Sequence, residues 1–280
     1  MINENNENTN EITSNNVLTI KTVQISPFRI LMTALKDILL ETTIIFTEEG
    51  IKIISMDKTH TILVYLTLHA EKFELFDCKL KKIKIGVNML HLFKLISTID
   101  NDDTLTIYIE NNSYKDGIVT ELGLKFENLD IKQSKTQKLR LIEPDEEELQ
   151  VPDINFSSII NIPSTDFQKI IRDLASISEK LEIKSVKDEL IFTCEGQYAN
   201  AEIRRTESKD FMKIIQKHSH DEIIQGHFSL KNLVYFIKCT NLCNQIEIYL
   251  KNTKPLIVKY NVASLGEIRL CLAPLPHTSD

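Results

Sequence analysis

Glycine is scarce in this chain, with 7 residues among 280. A phosphate-cradling loop needs several glycines close together, and neither a P-loop nor a G-x-G-x-x-G run occurs. The G-x-S-x-G turn of serine hydrolases is absent too. These absences argue against nucleotide-dependent enzymes and against the common serine hydrolases.

Cysteine and long apolar runs are also scarce. The 5 cysteines are scattered without a C-x-x-C pair, so we expect reduced, mostly buried thiols of an intracellular protein. No apolar run is long enough for a membrane helix, and residues 1–16 have neither a basic start nor an apolar core. The sequence therefore predicts neither secretion nor membrane association. Residues 1–16 offer little to bury and are predicted to be a disordered extension.

What the chain does contain is a long internal repeat. The apolar residues of one predicted helical face return 139 residues later with the same spacing. The first copy is Phe28, Leu31, Met32, Leu35 and Ile38, and the second is Phe167, Ile170, Ile171, Leu174 and Ile177. A strand pattern precedes each copy (17–26 and 156–163) and a hairpin pattern follows it (43–57 and 181–195). A repeat of this length indicates a duplicated domain.

The repeat divides the chain into two similar domains. Residues 17–140 and 153–275 are the predicted domains, with 141–152 as their linker and 276–280 as a tail, and 280 residues suffice for two cores. The linker holds five acids and has a proline near each end, which is typical of a solvated spacer. Its apolar residues Leu149 and Val151 leave a second interpretation open, in which the linker helps to form a docking surface.

Each half reads as strands interrupted by two helices. This pattern predicts an α+β fold in which long antiparallel sheets carry two helices on one face. The predicted helices are Pro27–Glu41 after Ser26, Met89–Ser97 after Asn88, Thr165–Ile177 after Ser164, and Leu230–Cys239 after Ser229, with the residue named second as the expected N-cap. Residues 110–121 are predicted to be a long loop.

Charge on the predicted helices differs from charge on the whole chain. The chain has 40 acidic and 33 basic residues, which argues against a generic nucleic-acid binder. The second helix of each half nevertheless contains lysine and no acid. One interpretation is an ordinary solvated face. The other is a basic concave surface that holds duplex DNA by its phosphates without reading its bases.

Five short motifs, taken in order, resemble one family across residues 18–275. They are Ala34-Leu35-Lys36-Asp37, Ser55-Met56-Asp57 with His60, Arg172-Asp173-Leu174, Lys187-Asp188 and Leu272-Ala273-Pro274. The chain resembles the proliferating cell nuclear antigen, the eukaryotic DNA sliding clamp. The resemblance implies a clamp fold with sheets outside and helices inside, a homotrimeric ring around DNA, and no catalysis or cofactor.

The number of domains needed around DNA also follows from size. A domain of this length is about 36 Å across, and duplex DNA is about 20 Å wide. Five to six such domains therefore fit around a duplex, so a chain with two of them cannot encircle DNA alone. A head-to-tail contact repeated by a three-fold axis would close the ring. In the resembled family, edge strands make this contact, here 132–140 and 198–206, with Gln137 at a position that is often apolar.

The resemblance also implies sites, partners and a location. The implied partners are duplex DNA without sequence specificity, a DNA polymerase, a clamp loader and client proteins with a clamp-binding motif. The implied location is the nucleus, or a cytoplasmic replication compartment if the chain is viral. The DNA-facing residues would be Lys21, Arg29, Lys36, Lys94, Lys169, Arg172, Lys231 and Lys238. The client pocket would be formed by Met56, His60, Leu63, Leu149, Val151, Pro255, Leu272, Ala273 and Pro274, and Lys187 would be a modification site.

Two other interpretations of the sequence concern a metal site and a different class of clamp. The only dense metal-like cluster is 218–221, but it lies in a polar loop without helical histidine spacing, so no metal site is predicted. A subunit of a heterotrimeric checkpoint-type clamp, or a clamp-like scaffold that does not encircle DNA, remains open. Self-association into a trimer distinguishes the homotrimeric clamp from these alternatives.

Overall fold

The strands and helices of the chain divide into two units. The computed structural model describes residues 15–145, 149, 154–209 and 211–276. Within that part, the first unit contains residues 15–55, 66–145 and 264–266, and the second contains 56–65, 149, 154–263 and 267–276. Most of the predicted extension 1–16, much of the linker and most of the tail 276–280 lie outside the described residues. The predicted domain boundaries therefore stay a prediction.

The first unit is built from antiparallel strands and two helices. One sheet has the order β11-β10-β7-β1-β5, and a second contains the later half of β4 followed by β3, β2 and β6. The elements are β1 Asn16–Thr22, α1 Ile25–Ile38, β2 Glu41–Thr47, β3 Gly50–Met56, β4 Ile62–His69, β5 Leu75–Cys78, β6 Ile83–Asn88, α2 Met89–Ile96, β7 Thr104–Glu110, β8 Tyr114–Lys115, β9 Ile118–Val119, β10 Glu121–Asn128 and β11 Gln133–Arg140.

The second unit repeats this plan. One sheet has the order β15-β14-β13-β17, and the other runs β16-β12-β18-β19-β20 with the first half of β4 beside β20. The elements are β12 Ser158–Pro163, α3 Ser164–Ala175, β13 Lys180–Val186, β14 Glu189–Glu195, β15 Asn200–Thr206, β16 Lys213–Lys217, β17 Ile224–Ser229, α4 Leu230–Phe236, β18 Gln245–Leu250, β19 Leu256–Val262 and β20 Gly266–Leu272. The predicted α+β class, with two helices in each half, is confirmed.

The apolar faces of the repeated helices form the centre of each core. All five residues of the first copy are buried on α1, and Phe28 also packs edge-on against Phe73 with ring centroids 6.5 Å apart. In the second copy the first four residues are buried on α3. Ile177 was expected to complete this face, but α3 ends at Ala175 and Ile177 is only half-buried.

Two of the four predicted N-caps are confirmed. The Asn88 side chain accepts a hydrogen bond from the His91 amide at 3.1 Å, and the Ser229 side chain accepts one from the Asn232 amide at 3.4 Å. Each cap satisfies an amide that the helix itself leaves unpaired. The predicted end of the last helix was wrong, because α4 stops at Phe236 and a 3-10 segment covers Ile237–Leu242.

The other two N-cap predictions were wrong. α1 begins at Ile25, before Ser26, and tolerates Pro27 because amides of the first turn need no helical partner. Its predicted end at Glu41 fails because Glu41 pairs with Asn88 in the sheet. Ser164 lies inside α3, and its hydroxyl donates to the Cys243 carbonyl at 2.6 Å instead of capping the helix.

The predicted loop at 110–121 contains regular structure. A 3-10 turn covers Asn111–Ser113, and β8 and β9 then form a small hairpin. Positive φ angles at Asp116 (54°) and Gly117 (86°) are those of the tight turn that joins such strands. The loop prediction missed this hairpin because each strand has only two residues.

The cysteines are mostly buried, as the sequence predicts. All five are unpaired thiols in the described chain, and Cys194, Cys239 and Cys271 are buried. Burial raises the pKa of Cys239 to about 12 and that of Cys271 to about 11, so both stay protonated at neutral pH.

Among the described residues, no helix has the length and apolar character needed to cross a membrane.

Candidate nucleic-acid and partner interfaces

Two cations of the first unit are held by contacts within that unit. Arg29 Nη1 donates to the Ile99 carbonyl at 3.3 Å and to Asn101 Oδ1 at 2.9 Å, which ties α1 to the loop after α2. Lys36 Nζ lies 2.8 Å from Asp37 Oδ1 and 4.8 Å from the centre of the Phe93 ring. Both side chains are half-buried and contribute to the packing of the helix pair.

The other two predicted cations of this unit differ in position. Lys94 is exposed on α2, where the helix has no acidic residue in its first turn. Lys21 is half-buried on β1, between Leu75 of β5 and Thr106 of β7. Lys94 is therefore open to a polyanion, whereas Lys21 belongs to a central strand of a sheet.

The cations of α3 are exposed, and an acid of the same helix is neutralised. Lys169 and Arg172 both face solvent. Asp166, in the first turn, is bound by Arg205 of β15 through two hydrogen bonds of 2.8 and 2.9 Å. Because this carboxylate already has a cationic partner, it offsets the charge of Lys169 and Arg172 less than the sequence suggests, and Asp173 is the exposed acid of the helix.

The second helix of this unit and the segment after it also carry exposed cations. Lys231 and Lys238 are exposed, the first on α4 and the second in the following 3-10 segment. Lys238 Nζ lies 5.5 Å from the centre of the Tyr235 ring. Neither α4 nor this segment contains an acidic residue.

The predicted pocket residues that the structure describes belong to the second unit. Ala273, after β20, donates its amide to the Thr61 carbonyl at 2.9 Å, and Asn232 Nδ2 donates to Thr61 Oγ1 at 3.2 Å. Leu272 is buried, and His60 and Leu149 are exposed. Val151 lies outside the described residues. The half-buried members are Met56, Leu63, Pro255, Ala273 and Pro274.

The loop before β4 is shaped by Asp57. Its carboxylate accepts hydrogen bonds from the amides of Thr59, Thr61 and Ile62 at 3.2, 2.8 and 2.7 Å. Partial burial raises the pKa of Asp57, but the hydrogen bonds from Thr59, Ile62 and Thr61 outweigh it and hold the pKa below its usual value. The loop places His60 at a positive φ of 54°. The family motif includes Asp57, but the motif alone did not indicate this role.

The start of the linker is fixed to the first unit. Ile142 forms a bridge with Gly86 of β6, and its amide donates to the Gly86 carbonyl at 3.0 Å. A side chain at Gly86 would meet the carbonyl oxygens of Ile142 and Glu143 at 2.5 and 2.6 Å. The Leu141 amide also donates to the Thr120 carbonyl after the β8–β9 hairpin, at 3.0 Å. Sequence reasoning missed Gly86, although a lone glycine in a strand pattern indicates close backbone approach.

Lys187 lies in the tight turn between β13 and β14. It is exposed and has a positive φ of 49°. Its amide donates to the His220 carbonyl at 3.2 Å, and its carbonyl accepts a hydrogen bond from Lys217 Nζ. The Nε2 atom of His220 lies 3.3 Å from Asp188 Oδ1. The turn is thus held at both its amide and its carbonyl by residues 217–220, while the Lys187 side chain is exposed.

The predicted contact strands are both sheet edges. β11 begins at Gln133 and β15 begins at Asn200, each slightly later than predicted. Each is the outermost strand of its sheet. On β15, Arg204 is paired with Glu202 at 2.7 Å and with Glu189 at 3.3 Å. Gln137 Oε1 is buried without a hydrogen-bond partner in the described part of the chain. Each edge strand offers backbone groups for pairing.

The two halves match two family models. The model for the N-terminal domain of the proliferating cell nuclear antigen matches residues 17–148. The model for the C-terminal domain of the same protein matches residues 150–275. Together the two matches cover residues 17–148 and 150–275, which is most of both units.

Three relatives are similar over most of this chain. A "Probable DNA polymerase sliding clamp 1" of Paramecium bursaria Chlorella virus 1 is 32% identical over 261 residues, covering 91% of this chain and 96% of the relative. The proliferating cell nuclear antigen of Chaetomium thermophilum is 30% identical over 253 residues, covering 90% of this chain and 95% of the relative. A "Probable DNA polymerase sliding clamp" of Acanthamoeba polyphaga mimivirus is 34% identical over 226 residues, covering 81% of this chain and 47% of the relative.

Proposed function

Because this chain belongs to the proliferating cell nuclear antigen family, we propose that it is a sliding clamp that holds a DNA polymerase on duplex DNA. The observation that carries the proposal is the consecutive match of both domain models to one chain. The proposed role is topological and involves no catalytic step. Its site of action is the nucleus or a viral replication site, wherever the DNA served by this chain is copied.

The proposed DNA contacts are made by the cations of the helix pairs, with Lys21 of β1 as a further contact. Lysine and arginine bind phosphates of any sequence by releasing counterions, and weak screened contacts permit sliding. The exposure of both α3 cations and the neutralisation of Asp166 support this assignment. The proposed set is Lys21, Arg29, Lys36, Lys94, Lys169, Arg172, Lys231 and Lys238.

We propose that three copies close a ring through β11 of one copy and β15 of the next. Two unlike edges make a head-to-tail contact, which a three-fold axis closes. Basic residues on both strands would repel each other if unpaired. The ion pairs of Arg204 with Glu202 and of Arg205 with Asp166 reduce this repulsion, as does the Lys138–Glu110 pair at 2.8 Å.

The trimer is tested by native mass and by topology. We expect a trimer mass at micromolar protein concentration. Rings placed on a nicked circular duplex by a clamp loader should remain bound, and cutting the circle should release them, with uncut circles as the control. A monomer mass, or assembly only with different subunits, would contradict the homotrimer, and the second result would favour the checkpoint-type class.

The proposed client site is the apolar cluster of the second unit. A short helical turn with two aromatic residues and one aliphatic residue would dock against Met56, Leu63 and Pro274, since adaptable and half-buried apolar side chains suit such ligands. His60, Leu149, Val151, Pro255, Leu272 and Ala273 complete the proposed set. The half-burial of the three contact residues supports this assignment, because each keeps apolar surface exposed.

A fluorescent client peptide tests this site. We expect micromolar or tighter binding, and replacing both aromatic residues of the peptide by alanine should abolish it. Leu63→Ala should weaken binding about tenfold, as expected for an anchor contact. Ile215→Ala is the matched control, because Ile215 is an exposed apolar residue of the same unit outside the proposed set. Equal effects of the two substitutions would contradict the assignment.

We also propose Lys187 as a site of ubiquitin-type modification. The turn exposes the Lys187 side chain while the Lys187 amide and carbonyl are both hydrogen-bonded. Mass spectrometry of clamp purified from its native cells after DNA damage should find a modified Lys187. If Lys187 is unmodified in damaged cells while other lysines of the clamp are modified, the assignment is wrong.

A further inference from the structure

The internal repeat allows the two helix pairs to be compared position by position. Phe28 of α1 corresponds to Phe167 of α3, and both are buried. The N-caps Asn88 and Ser229 align α2 with α4, because both cap through the side chain. This alignment places the buried residues Met89, Leu92 and Ile96 opposite the buried residues Leu230, Leu233 and Ile237.

The residue at the position of Arg29 makes a side-chain hydrogen bond to a backbone carbonyl in both units. Its counterpart in α3 is Gln168, whose Nε2 donates to the Ile237 carbonyl at 3.3 Å. Arg29 Nη1 donates to the Ile99 carbonyl at the same distance. In each unit this side chain ties the first helix to the segment that follows the second helix. A neutral amide performs the task in the second unit, so it does not require a charge.

The charge of Lys36 is also used within its own unit. Lys36 lies 2.8 Å from Asp37 Oδ1 and over the Phe93 ring, and its side chain is 20% exposed. The corresponding residue of the second unit is Ala175, the last residue of α3. An anion from solvent would have to compete with Asp37 for this ammonium group.

Four cations of the second unit show the opposite pattern. All four are exposed, and each lies opposite a neutral residue of the first unit. Asp166, the acid in the first turn of α3, is occupied by Arg205. The exposed cations are Lys169, Arg172, Lys231 and Lys238, and their counterparts are Ile30, Thr33, Leu90 and Ser97.

We propose that the second unit supplies most of the phosphate contacts when this chain surrounds duplex DNA. The inference rests on the proposed clamp function and adds an unequal division of the DNA contact between the repeated units. Lys94 is the exposed cation that the first unit's helices add. Arg29 and Lys36 mainly hold the first helix pair together. The ligand is the sugar-phosphate backbone, so the division does not depend on base sequence.

Two matched triple variants test the division. Lys169→Gln, Arg172→Gln and Lys231→Gln remove three charges from the second unit, and Arg29→Gln, Lys36→Gln and Lys94→Gln remove three from the first. Binding of the assembled protein to a fluorescent duplex is measured by anisotropy over a series of NaCl concentrations. The slope of log K against log salt falls by about 0.9 for each phosphate that the protein no longer neutralises. We expect the reduction in slope for the second-unit triple to be at least twice that for the first-unit triple.

A gain-of-charge variant covers the case in which a triple variant fails to fold. Ile30→Lys with Thr33→Arg gives α1 the charges of α3 and should steepen the salt dependence. If the two triples reduce the slope equally, or if the added charges change nothing, the unequal division is wrong and the clamp function stands. If wild-type protein neither binds duplex nor loads onto circular DNA, the proposed function itself fails.

Discussion

The ion pair between Arg205 and Asp166 should hold the edge strand β15 against α3. The two residues are joined by hydrogen bonds of 2.8 and 2.9 Å in a side-by-side geometry. The Asp166 side chain is 9% exposed and that of Arg205 is 30% exposed. Arg204, the next residue back along the strand, is 54% exposed and pairs with two surface carboxylates. The neighbouring arginines therefore form a natural test and control.

The expected effect follows from the burial of the carboxylate. A hydrogen bond to a charged group contributes about 1.5–3 kcal/mol when it is shielded, and partial exposure of Arg205 reduces this through solvent screening. We therefore expect Arg205→Met to lower the free energy of unfolding of the second unit by about 1–2 kcal/mol. Because Asp166 would keep a poorly solvated charge, adding Asp166→Asn should recover part of this stability. Arg204→Met should produce no resolved change.

Urea unfolding and amide hydrogen exchange measure this effect. The double-mutant cycle of Arg205→Met and Asp166→Asn should give a favourable coupling energy of about 1 kcal/mol or more. Exchange should accelerate in β15 and stay unchanged in β2, which belongs to the other unit and lies outside the proposed contact between copies. Equal effects of the Arg204 and Arg205 substitutions, or a coupling energy near zero, would refute the reasoning.

Three further predictions concern other parts of the chain. Gly86→Ala should release the start of the linker, because the new Cβ would lie 2.5 Å from the Ile142 carbonyl oxygen. Hydrogen exchange of the Ile142 amide should then become faster. Unchanged exchange would count against this contact. Asp57 has a lowered pKa in the folded chain, so its stabilising effect is present above the ordinary aspartate pKa and is lost as pH falls through the folded value. Asp57→Asn should flatten this acid-side decline in thermal stability, and a parallel decline would argue against the role of Asp57. Gln137→Met removes a buried acceptor that has no partner in the described chain, so stability should stay equal or rise, and a clear decrease would show that this oxygen is satisfied in solution.

The sequence predicted the features that depend on local spacing. The buried face of α1 followed from helical periodicity, and the Asn88 and Ser229 caps followed from a polar residue directly before an apolar helix. Both features involve residues a few positions apart. The chemistry of one turn is enough to specify them.

The sequence failed where a distant partner decides the outcome. Ser164 has a side chain suited to an N-cap, but its hydroxyl donates a hydrogen bond to the Cys243 carbonyl, 79 positions away in the sequence. Arg205 and Asp166 are separated by 39 positions, and their pairing leaves no local pattern. Such contacts depend on which elements meet in the fold, and the sequence pattern carries no information about that.

The candidate DNA surface shows the same limit. Charge counting treats Arg29 and Lys169 as equivalent cations of a helix. The structure separates them, because Arg29 bonds to the Ile99 carbonyl and Lys169 is exposed. Only the comparison of Arg29 with Gln168 shows that the first position serves the packing of the helices. The residue types were predictable, but the use of each charge was not.

Each unit includes a short segment from the other side of the linker, and this limits how the chain can be truncated. Residues 56–65 precede the linker in sequence but belong to the second unit, and 264–266 follow the linker but belong to the first. A truncated chain that starts after the linker would lack Thr61, whose carbonyl receives the Ala273 amide, and would leave one side of β20 without its neighbour. Isolated halves are therefore poor material for crystallography or for expression of single domains. Chimaeras between relatives should exchange residues 56–65 together with the second half.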